Sequence, residues 1–571
     1  MSSASLAVLF SCAAALLIAA CARGVRRRGA RASASRRGVS ALIARFIERR
    51  FGGYKHTLGE VDERLPWSLT SAPTERPRVL VVGAGLAGIG VACDLSERGF
   101  RVTLREANAY LGGKVGAWRE RDASGTELSV EHGFHAFFRQ YYNLLAFLER
   151  TSVRQHLTAV DDYVIVTADG ALQRFGGLET TPYLNLLALM RKGLFRLREL
   201  LFTRAIHEMD VFLAYERAQI FCELDGVSYA EFARRAQLPE RLQLVFNTFA
   251  RSFFAERDRM SMAELVKSFH FYYLSHDHGL LYDYPAGSYE DTVLAPLRTY
   301  MEQRQVAIEL GRACAQIEPC PEGGFRADGE PFDYVVLATS AVAAQSIMRN
   351  SPDLQRAAPR LAAQVERLRP GQRYAVLKLW ITRDLRRGLP VFVSTERIRV
   401  LDSVTECHRI SEDAAAFVRA HPGGAVLELH SYALPDDLAD ADVRAAFMAD
   451  LLHFFPELHA HRTVHEVLTI RQDFTSFHVG AAADRPSTAC ELQGLYLAGD
   501  WVKLPCPAML MEAAYTSGLL ATNQILQREG LRPHAVYTVP LRGLLVDVRR
   551  RKLARRAAPR PAPVNDRIQG W

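Results

Sequence analysis

Two stretches about 400 residues apart constrain this chain more than anything between them. Val79–Gly90 reads VLVVGAGLAGIG, and Leu495–Gly518 reads LYLAGDWVKLPCPAMLMEAAYTSG. The first lies where the pattern predicts a strand, Arg78–Val82, then a helix, Leu86–Arg98, and a second strand, Arg101–Glu106. In that β-α-β setting each glycine of Gly83-x-Gly85-x-x-Gly88 has its own task. Gly83 permits the tight turn, Gly85 lets backbone approach a diphosphate, and Gly88 lets the helix lie close on the strand. The helix N-terminus adds unsatisfied N–H groups for the anion. Glu106 closes the second strand 23 residues after Gly83, where a carboxylate can accept ribose hydroxyls. A dinucleotide site is specified.

The residues beyond Glu106 discriminate between dinucleotides. Leu111-Gly112-Gly113-Lys114 offers a second glycine turn that can press more backbone on the diphosphate, with Lys114 offsetting charge. A plain NAD dehydrogenase has no need of it, although an ordinary loop is the alternative. In the second signature, Gly499-Asp500 follows a strand over Leu495–Ala498, and a helix is expected from near Pro507 through Leu526. Asp500 can hydrogen-bond the ribityl chain of a flavin. Backbone N–H groups around Met511, Glu512 and Ala513 can face its pyrimidine edge, where negative charge develops on reduction. The blander alternatives are a turn carboxylate for Asp500 and a first-turn acid favoured by the helix dipole for Glu512. FAD is the cofactor these positions favour.

The fold class is α/β, with a Rossmann-like FAD-binding sheet revisited twice by the chain. Asp333–Thr339 has the continuous apolar character of a buried parallel strand. Tyr374–Trp380 and Ala425–Tyr432 suggest a second, antiparallel sheet, and short strands at Val164–Val166 and Leu172–Phe175 flank the Asp169–Gly170 turn. Leu184–Ile206 and Arg241–Leu274 read as a helical insertion. Most of its apolar positions are expected to pack together, and Tyr183–Phe202 to touch a membrane surface. The domain expectation is 51–77 as linker, then 78–160, 291–345 and 486–530 as the FAD-binding domain. Residues 161–290 and 346–485 form the substrate domain, and 531–571 a peripheral basic tail.

Composition bears mainly on the ends. The chain is 49% apolar and 23% charged, enough for a large core, and its nine cysteines show no C-x-x-C pair. The net charge of +8 misleads, because residues 1–50 hold ten arginines against one acid. The rest is close to neutral, apart from the cluster Arg549–Lys552 with Arg555 and Arg556, and nucleic-acid binding is a poor reading. Leu6–Cys21 is an apolar run slightly short for a membrane span. Residues 1–50 are read as a targeting leader, as for a plastid, or as a transmembrane anchor leaving the enzyme on the cytoplasmic face. A lipoprotein signal ending at Cys21 is a third reading.

No metal site stands out. His276-x-His278 lacks a third ligand at useful spacing. Glu131–Phe138 (EHGFHAFF) is unusual, and His132 and His135 are the candidate catalytic residues, one of them as polar contact or proton relay beside the flavin ring, with packed histidines as the alternative. No serine or cysteine sits in a nucleophile setting.

LREANAYLGGKVGAW (Leu104–Trp118), EHGFHAFFRQYYNL (Glu131–Leu144), LLYDYPAGS (Leu280–Ser288) and AGDWVKLPCPAMLMEAAYTSG (Ala498–Gly518) resemble blocks of the phytoene-desaturase-like, amine-oxidase-superfamily flavoproteins. Within that group the chain is similar to carotenoid ring desaturase/methyltransferases of the isorenieratene synthase type, from about Arg78 to Arg528. The resemblance implies a GR2-type fold with FAD held by Gly83, Gly85, Gly88, Glu106, Gly113, Lys114 and Asp500. It also implies an apolar carotenoid or isoprenoid arriving from a membrane, with the electron acceptor unspecified. Such enzymes aromatise a β-ionone ring by desaturation with migration of one geminal methyl. Phe137, Phe138, Tyr141 and Tyr142 are candidate shields for the cation formed, with core packing the alternative for each. Cys506, where a bulkier apolar residue is expected, would alter the flavin-side pocket. The competing readings are a phytoene- or zeta-carotene-type desaturase, a flavin amine oxidase, and a non-catalytic flavin-binding scaffold.

Overall fold

The computed structural model describes residues 53–557 except 122–124, 126, 161, 163, 175, 178, 183 and 192–207. The leader, most of the Tyr183–Phe202 patch and the last residues of the tail lie outside the described residues.

Arg78–Val82 is a strand with Val79, Leu80 and Val81 fully buried. It sits at the centre of a five-stranded, wholly parallel sheet in the order Ala307–Glu309, Arg101–Arg105, Arg78–Val82, Tyr334–Leu337, Leu495–Leu497. The strands from the two signatures therefore lie two apart, separated only by Tyr334–Leu337. Their helices meet directly. A Cβ on Gly90 would lie 2.6 Å from the Tyr515 ring, and one on Gly518 would lie 2.7 Å from the Ala87 carbonyl oxygen. Glycine on each side is what lets Leu86–Glu97 and Leu510–Arg528 pack so closely.

A seven-stranded sheet forms the second layer, in the order Thr463–Arg471, Tyr374–Ile381, Ala425–Ser431, Ser403–Glu406, Phe392–Thr395, Val164–Val166, Leu172–Arg174. It departs from the expected antiparallel pattern at one joint, where Phe392–Thr395 runs parallel to Val164–Val166. Tyr374–Ile381 and Ala425–Ser431 are buried throughout, the polar side chains of Lys378, Glu428 and His430 included.

The Arg241–Leu274 stretch is two helices, Glu240–Arg251 and Met262–Tyr273. Between them Phe254 has a positive φ of 56°, and Ser261 starts the second helix by accepting from the Glu264 amide. Every residue from Met262 to Tyr272 is buried, including the charges of Glu264 and Lys267, which pair at 2.6 Å. Of the neighbouring stretch, Leu184–Arg191 is helical. Among the described residues no helix is long and apolar enough to cross a membrane.

Two boundaries differ from expectation. Residues 346–368 were expected with the substrate domain, yet Ile347, Leu354, Leu361 and Val365 pack with Leu80, Val82 and Leu497 of the parallel sheet. The segment after Leu531 is not peripheral. Leu531, Val536, Val539 and Val546 are nearly fully buried, each contributing on the order of 1.5–3 kcal/mol. Tyr537–Thr538 pairs with His56–Thr57, so tail and linker close on each other. The basic helix Val546–Ala557 then lies against acids, with Arg549 pairing with Asp210 at 3.1 Å and Glu223 at 2.7 Å. The sequence reads basic there because its counter-charges come from more than 300 residues upstream.

Candidate active site

One cavity of about 1050 Å³ opens between the two layers. Its first end is built from backbone. Gly83 has φ +100°, and a Cβ there would lie 2.6 Å from the Ala338 carbonyl oxygen. Gly85 caps Leu86–Glu97 in extended conformation, and a Cβ on it would meet no protein atom within 4 Å. Gly88 does not face the cavity. Its role is packing, since a Cβ would fall 1.9 Å from the Gly83 oxygen. The second glycine turn folds back on the first: the Gly112 amide donates to the Ala84 carbonyl at 2.8 Å, and a Cβ on Gly113 would lie 3.1 Å from the Gly85 Cα. Glu106 accepts from the Ala84 amide at 2.7 Å and from the Asn108 amide at 2.9 Å. These bonds fix its carboxylate at the cavity edge with lone pairs to spare.

The middle of the cavity joins the signatures through side chains. Lys114 Nζ lies 3.0 Å from Asp500 Oδ2 and 4.4 Å above the Phe474 ring. Lys114 is thus already paired, and its charge serves Asp500 as well as any diphosphate. Met511 lines the cavity with Leu510 and Ala514, but Ala513 does not. The Ala513 amide donates to the Met509 carbonyl at 3.3 Å, and Ala513 faces a separate small chamber of about 30 Å³, room for about one water. Cys506 also faces that chamber, beside Lys267, Arg485 and Lys503, and not the large cavity. The expected effect of Cys506 on the flavin-side pocket is therefore corrected. Glu512 is turned away too: it accepts from the amides of Asn143 and Leu144, both at 3.0 Å, and so caps the helix Tyr142–Arg150. Burial pushes its carboxyl up to about 8 against the pull of those donors.

The far end is aromatic, with Phe134, Phe138, Phe249, Phe253, Tyr272 and Phe474 among its walls. Of the four candidate shields, Phe138 and Tyr141 line the cavity, whereas Phe137 is fully buried in the core and Tyr142 packs toward His276. Phe137–Phe138 pairs antiparallel with Tyr282–Pro285, and Arg139 pairs with Asp283 at 2.6 Å. That pairing joins the GFHAFFRQ and LLYDYP blocks, far apart in sequence.

His132 and His135 both reach the cavity. Burial and the nearby Arg471 push His132 down to about 3, and burial pushes His135 down to about 4. Both are neutral near pH 7, so neither repels a cation formed beside it. His132 stands edge-on to Trp118 at 5.3 Å, with a buried Nδ1 that has no partner. His135 Nδ1 lies 2.6 Å from the Gly133 carbonyl oxygen, and its amide donates to the Tyr289 hydroxyl at 2.7 Å. Beneath this loop sits a pair the sequence reading missed, Glu428 and His430, with Oε1 and Nε2 2.8 Å apart. They lie two residues apart on one strand and so share a face. Two polar residues at that spacing in an otherwise apolar run were the available signal.

A family model for flavin-containing amine oxidoreductases matches residues 86–526. The chain belongs to that family. Among relatives of this flavin-containing amine oxidoreductase, a carotenoid phi-ring synthase of Streptomyces griseus is 34% identical over 486 residues, which cover 83% of this chain and 93% of that one. A 15-cis-phytoene desaturase of Solanum lycopersicum is 24% identical over 497 residues, covering 80% and 78%. A solved oxidoreductase from Methanosarcina mazei shares the fold at TM-score 0.55 and 17% identity, over 79% of this chain and 100% of that one. The amine oxidoreductase is accordingly an FAD-dependent enzyme. The residues present fit FAD: at Gly85 any Cβ would project into the cavity rather than against protein, and the Gly83–Gly85 and Gly112–Gly113 turns face each other beside a helix N-terminus.

Proposed function

We propose that this enzyme aromatises the β-ionone ring of a carotenoid, with Gly83, Gly85, Gly113 and Glu106 on the adenosine and diphosphate half of FAD and Asp500 and Met511 on the flavin half. The observation that carries this reading is the continuity of one cavity from the glycine cradle, past Lys114–Asp500, into an aromatic chamber. FAD, when bound, supplies a two-electron acceptor that takes hydride from an allylic ring carbon. The chain does the rest. The chamber walls hold the ring, exclude water that would trap a carbocation, and place aromatic faces beside it. A geminal methyl then shifts to the neighbouring electron-poor carbon. Over the whole reaction the ring loses four hydrogens, as two hydrides and two protons, so an external two-electron acceptor must reoxidise the flavin after each hydride removal.

The likeness to the phi-ring synthase favours ring chemistry over linear desaturation, the second reading, which the phytoene desaturase relative supports less strongly. An apolar substrate of this kind reaches the cavity from a membrane surface, and the basic leader suits targeting to a plastid or anchoring at the cytoplasmic face. An amine oxidase would need an aromatic cage at the flavin and a polar route for its amine, and the likeness to the carotenoid phi-ring synthase favours the apolar substrate instead. Expression in cells accumulating β-carotene is the test. An aromatic end group in the extracted pigment supports the proposal, and unchanged β-carotene, with flavin bound and the protein folded, overturns it.

A further inference from the structure

Aromatisation must dispose of protons as well as hydrides, and it does so inside a chamber walled largely by aromatic rings. Resting on the ring-aromatising reading above, we infer that Nε2 of His135 accepts the ring proton, and that Glu428, His430 and Gly133 are positioning residues that hold it ready.

The tautomer is set by the backbone. His135 Nδ1 lies 2.6 Å from the Gly133 carbonyl oxygen, which can only accept, so Nδ1 carries the hydrogen. Nε2 then keeps its lone pair. The one ring hydrogen bond His135 makes among the described residues is on Nδ1, and the half-buried side chain lines the cavity. The Tyr289 hydroxyl holds the His135 amide at 2.7 Å, and the Glu131 carboxylate accepts from the Tyr289 amide at 2.9 Å.

Gly133 is fixed from below. Its φ is +119°, and a Cβ would lie 2.3 Å from His430 Cε1, so the imidazole of His430 occupies the space a side chain would need. His430 is held in turn by Glu428 at 2.8 Å, and the second carboxylate oxygen of Glu428 is buried without a partner. At His135 the Gly133 carbonyl favours a transient imidazolium most, and Glu428 also does, against burial, His430 and Lys114. His132 is the poorer acceptor, because Arg471 faces it and opposes a second positive charge.

The step balances. After hydride removal and the methyl shift, the C–H bond on the carbon that received the methyl breaks. Its electron pair closes the last ring double bond, and the proton bonds to Nε2. A weakly basic imidazole suffices, because a ring cation on the verge of aromaticity is a far stronger acid than imidazolium.

The test compares FAD-loaded wild type with His135→Asn and His135→Ala on β-carotene in phosphatidylcholine vesicles, with a soluble quinone added to reoxidise the flavin. Asn keeps a donor for the Gly133 carbonyl while removing the distal acceptor. His135→Asn is expected to keep its bound flavin, its melting temperature and its KM within about threefold, while kcat for aromatic product falls about 100-fold or more. Added imidazole should restore part of the rate in His135→Ala, and Glu428→Gln should lower kcat about tenfold with KM held. Parental kcat in His135→Asn overturns the inference, as does a loss shared equally by KM and unrelieved by imidazole. Wild type that leaves β-carotene unchanged overturns the parent reading first, so the two failures are distinguishable.

Discussion

At the glycine end of the cavity the wall is main chain, shaped by Gly83, Gly85 and Gly113. At the aromatic end it is side chains, brought by segments around Phe134, Phe253, Tyr272, Tyr432 and Phe474. The first end offers N–H groups, and an added carbon there meets protein at Gly83 or takes up cofactor space at Gly85. The second makes them with ring faces, where shape-conserving replacements cost little. The cofactor end is thus rigid in sequence, and the substrate end is free to diverge between related enzymes while the fold is kept.

Within the backbone-built end, two glycines separate folding from binding. Gly88→Ala places a Cβ 1.9 Å from the Gly83 oxygen, and neither backbone can yield without opening the sheet–helix contact. The expected cost is about 3 kcal/mol or more, with flavin lost as well. Gly85→Ala meets no protein atom within 4 Å, so its stability without cofactor should match the parent to within about 0.5 kcal/mol. Flavin absorbance in the purified protein should nonetheless be absent. Equal thermal damage in the two variants would break the distinction.

The substrate end contains one exception that sharpens the comparison. Gly133 lies in the aromatic half, yet it behaves like the cradle glycines, with its positive φ and the His430 ring against it. Gly133→Ala should cost about 1–3 kcal/mol and leave flavin bound. Aromatic product should fall at least tenfold (about 1.4 kcal/mol in barrier), while Phe138→Leu on the same loop loses less. A Gly133→Ala enzyme as active as Phe138→Leu would show that the loop needs no fixed backbone.

This asymmetry also decides what was legible in the sequence. Gly83-x-Gly85-x-x-Gly88 reports a local geometry, and the strand Arg78–Val82 and helix Leu86–Glu97 appear where the pattern put them. Gly499–Asp500 was readable for the same reason. The aromatic chamber was not, because Phe254 stacks on Phe474 at 3.5 Å across 220 positions of sequence and nothing local marks either residue. Glu428 and His430 were hidden inside an apolar run whose burial masks its polar pair. The buried tail misled for a related reason: Arg549 looks solvent-seeking until Asp210 and Glu223 are placed beside it.

The smallest expected effect concerns acid. His132 and His135 are held down to about 3 and about 4, burial being the larger cause in both, whereas an unfolded chain titrates them near 6.5. The folded state therefore binds fewer protons than the unfolded one between those values. Stability from these two imidazoles is complete above about pH 6.5 and is lost progressively as pH falls toward 4 and then 3. His270 and His478, also pushed down to about 4 by burial, act in the same direction but lie outside the cavity lining. Replacing His132 by Gln removes one titrating group at the cavity, and carboxylate effects common to both proteins cancel in the comparison. Proton uptake on unfolding near pH 5 should drop by about one in His132→Gln, seen as a shallower fall of melting temperature from pH 7 to pH 4. If the two proteins lose stability in parallel over that range, His132 titrates alike in the folded and unfolded states and is protonated in the folded enzyme below about pH 6.5. The aromatic end would then hold a charge beside the bound ring rather than the neutral wall described above.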